Sequence, residues 1–174
     1  MGLDMYLNRR IFLWGDERKN LKITGLRREI RTDKVSYIIE EIGYWRKANA
    51  IHKWFVDNVQ GGNDDCERYN VSARDMRGLL ETVNRVLESS ELVDGDVHTG
   101  TRYHASGEVE ELIEKGKIIK DPTVAKVLLP SSSGFFFGSD DYDEYYYEQL
   151  IKTKEILEQA LENDEDYYEY HSDW

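Results

Sequence analysis

The chain lacks most of the residue patterns that would commit it to a known chemistry. Its single cysteine, Cys66, cannot close an internal disulfide, and its neighbours Asp64, Asp65 and Glu67 offer none of the positive charge that stabilises a thiolate. A reducing, cytoplasmic setting is expected. No apolar run approaches the roughly 20 residues that cross a bilayer, so no membrane association is expected. There is no glycine-rich GxxxxGK[ST] loop, no HExxH and no paired cysteines for zinc. The four histidines, His52, His98, His104 and His171, are scattered. Carboxylate neighbours such as Glu40-Glu41 and Asp140-Asp141 point apart instead of forming an acid/base pair. No catalytic residue, metal ligand or cofactor is assigned, and nothing places the chain in an enzyme class.

With two prolines, 40% hydrophobic residues and 12% aromatics, the composition is that of a folded globule. A length of 174 residues suits one domain, residues 1–174. The net charge is −12 but unevenly spread: residues 1–54 carry twelve Lys and Arg against seven Asp and Glu, and residues 140–174 carry two against thirteen. The favoured reading is internal, the basic part lying against the acidic one. So acidic a chain repels a phosphate backbone, which argues against direct nucleic-acid binding, although a local basic pocket could still hold a small anion.

Residues 3–13 begin with apolar and polar residues in alternation and predict a strand. A turn and a basic stretch to Lys34 follow, read as a hairpin arm, and then a β-branched strand over 35–42. The period then turns helical over 44–59, with Ala48, Ile51, Phe55 and Val59 on one stripe and Gly61-Gly62 as the stop. Ser72 and Asp75 open a second helix over 72–89. Residues 91–105 read as a loop or weak hairpin and 106–115 as a short helix stopped by Gly116. Residues 117–120 and 123–129 read as short strands parted by Asp121-Pro122. Ser139 is the expected N-cap of a long helix over 140–162, and the alternating tail 167–174 is expected to pair with the N-terminal strand. Together these predict an α+β fold, a small antiparallel sheet including both terminal strands and packed against helices 44–59, 72–89 and 140–162.

Two segments carry candidate chemistry. On a helix from Tyr44, the residues Trp45, Asn49 and His52 share one edge with Arg46 and Lys53 beside them, an aromatic, amide, imidazole and cation set that can hold a nucleotide-like anion. Trp54 lies on the polar side, as though to cover another layer or meet a partner. The second segment, residues 131–150, holds seven aromatics and five carboxylates. Phe135, Phe136 and Phe137 cannot all point inward from one turn, and with Tyr142 they could wall a pocket or meet a second copy. Asp140, Asp141, Asp143, Glu144 and Tyr145 supply an acidic, half-dry interaction surface.

Gly2 to Leu7, the segment from Tyr44 to Gln60, Leu129-Pro130 with Ser133 to Leu150, and the Tyr-rich end closing on Trp174 resemble a family of small uncharacterised proteins encoded by bacteriophages and some bacterial genomes. The resemblance implies a phage-associated setting and supplies no activity, cofactor or site. Two functions are expected. The first is a non-enzymatic counter-defence or host-takeover protein that sequesters a small anionic, nucleotide-like ligand between helix 44–59 and the 131–147 turn. The alternative is an acidic protein whose helix 140–162 occupies a basic host protein as a nucleic-acid mimic.

Overall fold

The computed structural model describes all residues except Met1, Leu26, Ala105, Ser133, Phe135 and Phe136, and describes Tyr103 by its backbone alone. The fold is α+β, as expected. Strands β1 (Asp4–Phe12), β2 (Tyr37–Arg46), β3 (Tyr69–Val71) and β6 (Tyr167–Asp173) form one antiparallel sheet in the order β2-β1-β6-β3. The terminal strands are thus its two central members, Asp4 opposite Asp173 and Arg10 opposite Tyr167.

Side chains alternate across the sheet. Met5, Leu7, Trp45, Tyr168, Tyr170 and Val71 point to one face and are buried. Against that face lie helices α2 (Asn49–Asn58), α3 (Ala73–Glu88) and α5 (Glu144–Leu161). The register of β1 with β2 shifts between Leu7 and Asn8, a bulge that leaves Ile42 between the paired Glu41 and Gly43. At Gly43 a side chain would meet Ile156 of α5 at 2.5 Å, so the helix can approach this strand only over a glycine.

Helix α3 begins with the expected capping box, Ser72 and Asp75 exchanging hydrogen bonds. Helix α5 departs from expectation at its start. Its N-cap is Asp143, whose Oδ1 accepts the Tyr146 N–H at 2.9 Å, while the Ser139 hydroxyl serves a local turn by accepting the Asp141 N–H. The inner stripe of α5 is Tyr146, Leu150, Thr153 and Leu157, all buried, with Leu161 partly buried at its end.

Four other expectations are corrected. Tyr44, Trp45 and Arg46 belong to β2, because the β1 ladder continues through Tyr6, Met5 and Asp4; the chain turns only at Lys47, in the left-handed region with φ 56°, and α2 starts at Asn49. The stretch before Lys34 is no hairpin arm but a short helix α1 (Asp16–Asn20), irregular chain and a single 3₁₀ turn (Thr32–Lys34). Residues 106–115 contribute a strand, β5 (Val109–Ile119), paired with β4 (Leu92–Tyr103) as a separate two-stranded ribbon. There Gly116 lies opposite Gly95, and Val97 and Ile118 fill the space above the two glycines. Helix α4 (Thr123–Leu128) replaces the strand expected at 123–129; Asp121 starts it by accepting the Thr123 N–H and hydroxyl.

The basic N-terminal part does lie against the acidic C-terminal part, β1 beside β6, and two ion pairs among the described residues, Arg9–Asp166 and Arg10–Glu169, join them.

Candidate functional site

The start of α2 and the 131–139 segment do meet, and Asn49 joins them. Its amide, 4% exposed, donates to the carbonyls of Phe137 (3.1 Å) and Ser139 (2.7 Å), and its Oδ1 accepts the Ser132 N–H at 3.1 Å. One buried side chain thereby satisfies three backbone groups of an irregular segment that has no ladder of its own. Ser131 is tied as well, its N–H donating to the Tyr142 hydroxyl and its own hydroxyl to the Asp140 carbonyl.

His52, one turn further along α2, is 1% exposed. Its Nδ1 lies 2.8 Å from the Tyr170 hydroxyl and its Nε2 3.1 Å from Asp64 Oδ1, which also accepts the Trp174 indole N–H. Burial lowers the imidazole pKa, with Asp64 opposing. Burial likewise holds the Tyr170 hydroxyl well above its ordinary range. Phe137 closes this seam edge-on, 5.3 Å from the His52 ring and 6.3 Å from that of Trp174.

The remaining expected ligand residues point elsewhere. Trp45 is fully buried and donates its indole N–H to Thr153 on α5 at 2.9 Å. Arg46 is exposed near Asp4, its carbonyl accepting the Tyr145 hydroxyl. Lys53 pairs with Asp57 one turn along the helix surface. Because Trp45 and Arg46 lie on a strand, the helical edge they were expected to share with Asn49 and His52 does not exist. Phe135 and Phe136 lie outside the described residues. Where α2 meets the segment around Ser139, the enclosed space is about 20 Å³, room for one water and no more. A wider cleft of about 640 Å³ lies beyond it, lined by Lys47, His98, Glu111, Asp140 and Asp141 among others. Three carboxylates against one lysine make that cleft poorly suited to an anion. No group of three or more His, Cys, Asp or Glu among the described residues is arranged to hold a metal ion.

The expected interaction residues divide. Asp140, Glu144 and Tyr145 are exposed; Asp141 is partly covered by His98; Asp143 is buried as the helix cap, with burial raising its carboxyl pKa. Trp54 covers another layer, packing over Gly78 of α3.

Sequence reasoning treated the acidic helix as a whole and missed its order. At about 100° per residue, Glu144, Glu148, Glu155, Glu158 and the C-cap Glu162 fall within about 80° of one another, with Ile151 between them. All six are exposed. The stripe runs about 27 Å along the 18-residue helix. Among the described residues only Glu158 of the stripe forms an ion pair, with Lys154 at 3.8 Å. The spacing of alternately four and three residues was readable in the sequence. No protein-family model, curated protein or solved structure matches the chain.

Proposed function

We propose that the chain is a non-enzymatic interaction protein that presents the glutamate stripe of α5 to a basic partner protein, as a nucleic-acid mimic would. The stripe itself carries this reading. Like charges three and four residues apart destabilise a helix, and the last turn holds no basic residue to complement the helix dipole. Glu144 suits the positive start of the helix, but the carboxylates after it bring the fold no such benefit, whereas a cationic surface would gain from them. The exposed Ile151 at its centre supplies an apolar contact. A phage-associated host-takeover or counter-defence role is part of the proposal and rests on the sequence resemblance alone. A small nucleotide-like ligand is the less favoured reading, since Asn49 and His52 are occupied by internal hydrogen bonds and the space beside Asn49 is of water size.

The test compares the protein with a Glu148→Gln, Glu155→Gln, Glu158→Gln, Glu162→Gln variant, each immobilised and exposed to bacterial lysate. The wild type is expected to retain basic proteins that elute as salt rises toward about 1 M, and the folded variant to lose them. Retention of the same set by both would overturn the proposal. A rise in melting temperature with mononucleotides or cyclic dinucleotides would favour the small-ligand reading instead.

A further inference from the structure

The sheet has a second face, and no residue of the buried hydrophobic core lies on it. The register there aligns Tyr6 with Tyr44 and His171, Arg10 with Ile39 and Tyr167, and Phe12 with Tyr37. Tyr6 stacks on His171 at 4.7 Å. At the far end of the β1–β2 pair, Phe12 lies 6.1 Å from the rings of both Tyr37 and Tyr167 and 6.5 Å from that of Trp14. The Arg10 guanidinium sits 4.7 Å from the centre of the Tyr37 ring and 5.5 Å from that of Tyr167. Trp14 is 70% exposed, and Phe12, Tyr37 and Tyr167 each about 40%. Arg10 Nε and His171 Nδ1 have no hydrogen-bond partner among the described residues.

Residues 13–36 leave the sheet beside this aromatic patch with seven Lys and Arg against four Asp and Glu. Most of the carboxylates are spent locally: Asp16 on Lys19, Asp33 on Arg31 and Lys34, and Glu17 on the Trp14 backbone N–H. Lys22, Arg27 and Arg28 are in no ion pair among the described residues, and all three are exposed. Flat rings on an open sheet face, with unpaired cations on the segment that leaves from its end, form the combination that receives unpaired bases and their phosphates.

We propose that this face binds single-stranded nucleic acid, with bases stacking on Trp14, Phe12 and Tyr37 and phosphates meeting Lys22, Arg27 and Arg28. The total charge of −12 argued against such binding, but the carboxylate stripe belongs to a helix packed on the opposite face of the sheet, and the carboxylates of this face, Asp4, Glu41, Glu169 and Asp173, lie from Asn8 to Asp4 along β1, away from Phe12 and Trp14, with Glu169 paired to Arg10 and Asp4 beside Arg46. A second copy of the chain fits less well, because pairing this end of the sheet with itself would bring together two segments that each carry seven Lys and Arg against four Asp and Glu.

The test is fluorescence anisotropy with labelled oligothymidylate and oligouridylate of about 16 nucleotides. Wild-type protein is expected to bind both at about 50 mM salt. Trp14→Ala should weaken binding about tenfold, and joint Lys22→Gln, Arg27→Gln, Arg28→Gln replacement should reduce the slope of log affinity against log salt by about two. These side chains are exposed, so both variants are expected to fold, which circular dichroism checks. No binding at about 100 μM protein, or binding that neither variant changes, would overturn the proposal. Displacement by polyglutamate at equal charge would remove the stacking role and overturn it too. Concentration-dependent dimerisation abolished by Trp14→Ala would assign the face to a second copy. None of these outcomes involves α5, so they stand apart from those of the glutamate stripe.

Discussion

The seam beneath residues 131–139 and the outer face of α5 are built from similar material, polar and ionisable side chains, and they use it in opposite ways. In the seam, Asn49, His52, Tyr170 and Asp64 are turned onto one another and onto backbone groups. On α5, Glu144, Glu148, Glu155 and Glu162 are left without cation partners among the described residues. An asparagine beside a histidine and a tryptophan resembles a binding site in sequence, yet here such residues are needed to hold an irregular segment and a C-terminal strand in place. The chemistry left over for a partner lies in side chains that do nothing for the fold.

The sharpest way to break this contrast is at Asn49. Asn49→Ala removes three hydrogen bonds and leaves the Phe137 and Ser139 carbonyls and the Ser132 N–H unsatisfied, so a loss of about 3 kcal/mol is expected in urea denaturation. A loss below about 1 kcal/mol would show that the seam is not what holds the segment. Thr153→Val keeps the shape of the core but leaves the Trp45 indole N–H without its acceptor, an expected loss of about 1.5 kcal/mol. Thr153→Ser, retaining the hydroxyl, should lose less.

The next effect is one of slope. Burial lowers the pKa of His52 in the folded state, so the unfolded chain binds more protons as pH falls below the ordinary histidine value of about 6.5. Stability is therefore fully present above that value and declines as pH drops toward the folded-state pKa. His171, lowered by burial and by Arg68, acts in the same direction. Melting curves between about pH 7.5 and 5.5 should fall less steeply for His52→Gln than for the wild type, the difference being the share of His52. The smallest effect has the opposite sign. Replacing Glu148, Glu155, Glu158 and Glu162 by Gln should raise stability by about 1 kcal/mol at low salt, a gain that fades near 1 M salt.

Where local pattern and tertiary demand agree, the structure could be read from the sequence. Alternation at residues 3–13 and 167–174, the Ser72–Asp75 box and the Tyr146 to Leu157 stripe each fix their element without outside help. Tyr44 to Arg46 could not be placed this way, because the apolar stripe of α2 extrapolates backward through Trp45 and only pairing with β1 shows that those residues are extended. Glu110 to Glu114 suit a helix locally, and only the partner strand β4 decides otherwise. At the site, the proximity of Asn49, His52 and Phe137 was legible, but the partners of His52, Tyr170 and Asp64, lie outside both segments and are brought to it only by the fold. The aromatic face was half visible. Tyr6, Arg10 and Phe12 occupy the polar positions of an alternating strand, where side chains other than core residues belong.

The pairing of β1 with β6 also determines when the protein can exist. The two strands at the centre of the sheet are separated by more than 150 residues of chain, and at roughly 5–20 residues per second a ribosome needs about 8–30 seconds to make the second after the first. During that time β1 and β2 can pair only as a hairpin, and α2 and α3 lack much of the surface that would bury their apolar sides. Closure over so long a loop is slow, so the interval before β6 docks is when a chaperone, or aggregation, would meet this chain.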